Sequence, residues 1–221
     1  MKRIILLALF AAAPAFAIEL QIDPNHSQAT FSVKHMMVTT VRGDFGKVTG
    51  TIDYQANDPT RSRADVKIDA TSIDTRNEKR DTHLKSAEFF DVAKCPDITF
   101  KSTKIEKGGG DHQSKVTGDL TMHCVTKSVT LNVDGPNGPI KHPSGANIYA
   151  ASVTGKVNRK DFGLNWNKAL ESGGVMVSDD VNMSIDLEMT ESKPAAAKAA
   201  HPAPRRGSPP DPRAVSGRRR E

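Results

Sequence analysis

Polar and apolar residues alternate along most of this chain with a period of two, the repeat of a strand with one buried face, not the 3.6 of a helix. In Thr30 to Met37 (TFSVKHMM), Phe31, Val33 and His35 share a face, and in KVTGTIDY Val48, Gly50, Ile52 and Tyr54 do the same. Asn57-Asp58-Pro59 punctuates. Ala64, Val66, Ile68 and Ala70 then alternate without a break with Arg63, Asp65, Lys67 and Asp69. Ile98 and Phe100 open a fourth strand, Gly108-Gly109-Gly110 turns it, and Val116, Gly118, Leu120 and Met122 return. Val129, Leu131 and Val133 form the next, ended by the breaker-rich DGPNGPIKHPSG. Residues 148–158 make a seventh strand, and Val181, Met183, Ile185, Leu187 and Met189 mark an eighth. The pattern predicts an all-β fold of about eight strands joined mainly by short turns. Such a meander can close as an antiparallel up-and-down barrel and leave no exposed edge.

One segment departs from the alternation. Thr75-Arg76-Asn77-Glu78 has capping-box spacing, and the residues to Asp91 (EKRDTHLKSAEFFD) read as one or two helical turns between the third and fourth strands. Leu84, Phe89 and Phe90 would point inward from it, as a lid on one end of the barrel; a plain surface excursion fits the pattern equally well. The apolar faces also carry small residues: Ala29, Gly50, Ala64, Ala70 and Gly118. These either mark corners where strands bend or leave room for a ligand.

The ends read differently from the middle. Lys2 and Arg3, the apolar run Ile4 to Phe10 and then Ala15-Phe16-Ala17 form the pattern of a secretory signal peptide over residues 1–17, too short to span a bilayer. The mature protein is therefore expected to start at Ile18 and to be exported, in a periplasm-type compartment. Residues 193–221 are rich in Pro, Ala and Arg, with almost no large apolar side chain, and are expected to be a disordered tail. Removing both ends changes the charge picture. Of the net +5, the leader supplies +2 and the tail +6, so residues 18–192 carry −3. No basic footprint for nucleic acid remains on the domain. The tail arginines (Arg205, Arg206, Arg213, Arg218, Arg219, Arg220) could contact an anionic membrane surface; a merely solubilising tail explains them as well.

Catalytic signatures are missing: there is no G-x-S-x-G, P-loop, G-x-G-x-x-G after a strand, or H-E-x-x-H. Asp179 and Asp180 would face opposite ways on a strand. His26, His35, His83, His112, His123 and His142 are scattered, with no local pair at ligand spacing, so no metal is expected. Trp166 follows the DFG turn after the seventh strand and would cap the core.

The segments IDPNHSQATFSVKHMM (22–37), VRGDFGKVTGTI (41–52), SIDTRNEKRDTHLKSAEFFDVAKCPDITFKST (72–103), VTGDLTMHCVTKSVTLNV (116–133) and NRKDFGLNW (158–166) follow one another in order. On them the domain over 18–192 resembles the YceI-like family of periplasmic, lipocalin-like, polyisoprenoid-binding proteins. The resemblance implies a lipocalin-like eight-stranded barrel, with the short helical lid between its third and fourth strands. It implies a binding or carrier protein, not an enzyme, that sequesters a long-chain isoprenoid-like amphiphile. Its expected lining is Phe31, Val33, Val66, Ile68, Phe89, Phe90, Phe100, Leu120, Met122, Leu131, Met183, Ile185 and Leu187. Arg80, His83 and Arg159, with Lys160 beside it, are the candidates for a headgroup. No cofactor is expected beyond the non-covalently held lipid. The rival is an envelope stress-related structural or interaction protein whose core is filled by its own side chains; an uncharted lipid enzyme is a third reading. The oligomeric state stays open: a dimer is compatible, but no exposed apolar stripe argues for one.

Cys95 and Cys124 stand where the family usually has an aromatic or other residue and Gly, respectively. A hairpin centred on Gly109-Gly110 would set them opposite each other, and in an exported chain they are expected to form a disulfide.

Overall fold

In the computed structural model, residues 17–171 and 173–192 are described. The leader (most of residues 1–17) and the tail (193–221) lie outside the described residues.

Alternating side chains need a surface to hide one face against, and this chain supplies it by curling its sheet. The strands are β1 (Ile18–Ile22), β2 (Gln28–His35), β3 (Thr39–Phe45), β4 (Val48–Tyr54), β5 (Arg63–Asp69), β6 (Ile73–Asp74), β7 (Asp97–Lys107), β8 (Gln113–Met122), β9 (Val125–Lys141), β10 (Asn147–Asn158) and β11 (Val177–Glu191). The one α-helix, α1, spans Glu78–Lys85. Hydrogen bonding runs β1-β4-β5-β7-β8-β9-β10-β11 and returns from β11 to β1, so eight antiparallel strands close a ring. β2, β3 and β6 continue beyond β11 in the upper part of the wall. Thus β1 with β2, and β3 with β4, act as two long staves, each broken once. No helix among the described residues is long and apolar enough to cross a membrane.

Three expectations need correction. The strand starting at Thr30 stops at His35, because Met36 (φ 51°) and Met37 (φ 62°) take the left-handed conformation of a tight hairpin turn into β3. No Gly, Asn or Asp announces that turn, and β3 was missed with it; β1, at the start of the domain, was missed as well. The DGPNGPIKHPSG segment is not a loop throughout: β9 runs on to Lys141 and turns only at 142–146. Its prolines are tolerated because β8 pairs with β9 only as far as Asp134, leaving the rest bonded to β10 alone. Finally, the helix begins at Asn77, whose side chain accepts from the Arg80 amide at 3.0 Å. Thr75 is not its cap. It is buried, and its amide and hydroxyl both donate to Asp81.

The break between β1 and β2 is held by a polar clasp. Ser27 donates to the Glu188 carbonyl and accepts from the Glu188 amide, at 3.3 and 3.0 Å. His26 Nδ1 lies 2.9 Å from Asp23 and 3.5 Å from Glu188. The hydrogen bond to Asp23, helped by the charge of Glu188, raises the His26 pKa above its usual 6.5. The same bond, with the Asn25 amide, lowers that of Asp23 below 3.8. The histidine's contribution is complete below pH 6.5 and lost as pH rises through its raised value. The aspartate's is complete above 3.8 and lost as pH falls through its lowered one.

At the other end of the barrel, Cys95 and Cys124 are bonded, with Cα atoms 5.5 Å apart. The pairing is the expected one, but it is not a cross-strand pair. The β7–β8 ladder pairs Thr99 with Thr121 and Phe100 with Leu120, and both cysteines lie beyond it. Cys124 belongs to the two-residue turn between β8 and β9, with His123 (φ 52° and 57°), and Cys95 to the coil returning from the lid. The bond therefore staples the lid's return to the barrel rim. His123 Nδ1 adds a contact of 2.9 Å to the Phe162 carbonyl from the same turn.

Two predictions arise here. An NMR titration should place the His26 midpoint above 6.5, and Asp23→Asn should draw it back down; a wild-type midpoint at or below 6.5 would contradict the clasp. Alkylation without reductant should label neither cysteine, and C95S/C124S should unfold with a loss of roughly 3.5 kcal/mol on the chain-entropy account of a 29-residue separation. Two labelled cysteines would refute the staple.

Candidate ligand cavity

The inner face of the ring does not fill its own space. A cavity of about 250 Å³ runs along the barrel. That is many times the 10–15 Å³ or so one water occupies, and near the lower end of the roughly 300–1,000 Å³ of small-ligand sites. Every residue expected to line a ligand borders it, from Phe31 and Val33 on β2 to Met183, Ile185 and Leu187 on β11. Phe31, Val33, Val66, Phe100, Met183 and Ile185 point inward yet are only half-buried, because they face the void and not one another. Part of the inner face is packed tight: Leu20, Ile22 and Val48 are fully buried.

The small residues divide between the two roles the pattern left open. Ala29 and Ala64 border the cavity, so their missing volume is part of it. Gly118 lies under the Phe100 ring, and a Cβ there would sit 2.5 Å from that ring. Gly50 (φ +143°) is a close approach to β5, where a Cβ would meet the Asp65 carbonyl at 2.2 Å. Ala70 is in a short 3-10 turn and wholly buried.

One end is closed by the lid. Leu84, Phe89, Phe90 and Leu164 border the cavity there, and all but Leu84 are buried. Phe89 stacks against Trp166 with centroids 5.4 Å apart, and His83 meets both rings edge-on at 4.9 and 5.1 Å. His83 also reaches Glu88 at 2.6 Å. It stands outside the cavity lining, as does Arg80, whose guanidinium donates to the Thr75 hydroxyl and carbonyl at 2.7 Å each. Arg159 does border the cavity and is buried, but its polar atoms turn away to the carbonyls of Ser178 (3.0 Å) and Leu164 and toward Asp179 at 3.4 Å. Burial lowers its pKa and Asp179 partly restores it. Lys160, exposed, pairs with the same carboxylate at 2.9 Å. The structure thus does not bring Arg80, His83 and Arg159 together around one point of the cavity. The aromatic trio His83–Phe89–Trp166 was not foreseen, because its members lie 83 residues apart at the extremes and no local spacing links them.

The opposite end is built from hairpins. Tyr54, Pro59, Ser62, Arg63, Ile105, Ser114, Gly135 and Pro136 border the cavity there, each half-buried or exposed. Gly135 (φ +126°) lies against β10, where a Cβ would meet the Ala150 carbonyl at 2.7 Å, so the wall bulges beside this rim. Tyr54 stacks on Tyr149 at 6.4 Å, and the Tyr149 hydroxyl donates to Glu191 at 2.8 Å. Burial, then the Glu191 bond, push that phenol up to about 12. Of this rim the sequence alternation marked only Tyr54, because the other residues fall at strand ends and turns, where the alternation fades.

Among the described residues, no histidine, cysteine, lysine or carboxylate borders the cavity. Asp179 and Asp180 have separate partners, Arg159 and Lys156. Asp23, His26 and Glu188 cluster closely enough to hold a metal in principle, but they form the exposed clasp described above, away from the cavity lining. What the arrangement offers chemically is an apolar slot, closed at one end and edged with hydroxyls at the other.

Residues 20–189 match the model of the YceI-like domain. A UPF0312 protein of Staphylococcus aureus (strain MSSA476) is 38% identical over 172 residues, covering 77% of this chain and 96% of the relative. The YceI protein of Campylobacter jejuni superposes with a TM-score of 0.61 at 30% identity, over 72% of this chain and 90% of that one. A polyisoprenoid-binding domain from Saccharophagus degradans, implicated in plant cell wall breakdown, has a TM-score of 0.56 at 16% identity, over 79% and 99% of the two chains. That last likeness concerns the fold alone.

Proposed function

The chain belongs to the YceI-like family, and from that premise we propose that its barrel holds one long-chain, isoprenoid-like amphiphile and shields it from water. The observation that carries this reading is the cavity itself, bordered almost wholly by apolar side chains, of which Phe31, Val33, Val66, Phe100, Met183 and Ile185 remain half-buried. Burying hydrocarbon contributes about 0.8 kcal/mol per CH₂ before ordering costs, so each isoprene unit supplies several kcal/mol and the lining suffices for binding. The description of the Saccharophagus degradans domain as polyisoprenoid-binding supports the same ligand class on the same fold. Among the described residues the cavity wall carries no histidine, cysteine or carboxylate, which favours carriage or storage over turnover. The leader-like residues 1–17 support action after export, in a periplasm-type compartment where such a lipid needs a soluble host. A core filled by its own side chains is the weaker reading, because it leaves the void unexplained.

Native purification followed by solvent extraction and mass spectrometry should recover a prenyl lipid. Ala151 is a buried residue on the cavity wall, and A151F should cut uptake of a prenyl quinone roughly tenfold or more by occupying the slot. Recovery of no lipid, with no uptake of prenyl quinone or prenyl phosphate, would favour the filled core. Turnover of such a lipid would make the protein an enzyme.

A further inference from the structure

The two ends of the cavity differ in every property that decides where a ligand passes. At the lid end Phe89, Phe90, Leu164 and Arg159 border the cavity and are 4–9% exposed, beside the half-buried Leu84. The lid is held there by two separate ties, the Cys95–Cys124 bond and the Phe89–Trp166 contact, and the His123 contact to Phe162 fixes the turn carrying Cys124 to the segment that leads to Trp166. The buried cation at that end is already spent on carbonyls and Asp179, and no buried side-chain polar atom among the described residues lacks a partner. Nothing there is left to meet a polar head.

At the hairpin end the strand pairings bring the start of β5, the end of β7 and the start of β8 side by side: Asp65 pairs with Lys101, and Lys107 with Ser114. Ser62, Arg63 and Ser114 border the cavity at this rim, and none of them is buried. Arg159 apart, they are its clearest group of polar side chains, and they sit where lining meets solvent. No tie comparable to the staple crosses this end among the described residues.

Resting on the reading of the cavity as a prenyl-chain site, we propose that the ligand enters and leaves through the hairpin end. Its hydrogen-bonding head lies among Ser62, Arg63 and Ser114, and its tail runs toward the lid. The lid, stapled to the rim, is then a floor and not a gate. Arg63 gives the rim a preference for a head that accepts hydrogen bonds.

The test uses a geranylgeranyl chain carrying a nitroxide at its polar end, added to isotope-labelled protein. The amide signals of Arg63 and Ser114 should broaden severalfold more than those of Leu84 and Phe89. Stronger broadening at Leu84 and Phe89, with shifts along the lining at Ile185 and Leu187, would overturn the orientation while leaving the cavity reading intact. Shifts nowhere along the lining would sink that reading and the orientation with it. A second measurement follows uptake of a fluorescent prenyl analogue by stopped flow. S114W should slow uptake roughly tenfold, while reducing Cys95–Cys124, whose Cys124 is exposed to reductant, should change it less than about twofold. A large acceleration on reduction would place the passage at the lid and overturn the proposal.

Discussion

Everything in this molecule depends on β1 bonding to two partners at once. Leu20 pairs with Ile52 on β4 and with Glu191 on β11, and this five-residue strand thereby turns an open meander into a ring. Without it, β4 and the Met189–Glu191 end of β11 would each present an unpaired edge, and the ring would stand open there. Closure with eight strands also sets the bore. A ring of this number has an interior that side chains can just fill or that can admit one ligand. Here Ala29 and Ala64 on the inner face tip the balance toward space. The two interruptions of the wall, at the His26 clasp between β1 and β2 and at Gly46-Lys47 between β3 and β4, are accommodated without opening it.

The barrel was legible in the sequence because its signal is repeated. Runs such as Ala64 to Ala70 and Val181 to Met189 state strand, face and direction independently, and each became a stave. The inward lining was legible for the same reason, since period two alone decides which side chains share a face. What was not legible depended on context. Met36 and Met37 turn the chain without any turn residue, and the Gly-Pro pairs of β9 look like a loop until its one-sided pairing is known. The disulfide was found through a register slightly different from the real one. It survives because a turn and a loop can meet where a ladder has ended. The charged candidates fared differently from the apolar ones: Arg80, His83 and Arg159 are drawn into local duties with Thr75, Glu88 and backbone carbonyls. Such duties depend on what folding brings near, and no spacing along the chain encodes them.

The same contrast shapes the functional picture. Apolar burial is additive and undirected, so a slot of this kind recognises length and flexibility before it recognises any particular group. Specificity then falls to whatever polar atoms stand at an end of the slot. In this protein the lid end has exhausted its own: Arg159 is buried and satisfied, and the aromatic trio His83, Phe89 and Trp166 packs above it. Rigidity at one end and polarity at the other give the cavity a direction.

The central claim is that apolar length, taken up inside the ring, drives binding. Calorimetry with prenyl alcohols of increasing chain length tests it most directly. The heat-capacity change of binding should grow more negative with each added isoprene unit until the slot is full, and affinity should level off at the same length. A heat-capacity change that does not vary with chain length would contradict the account.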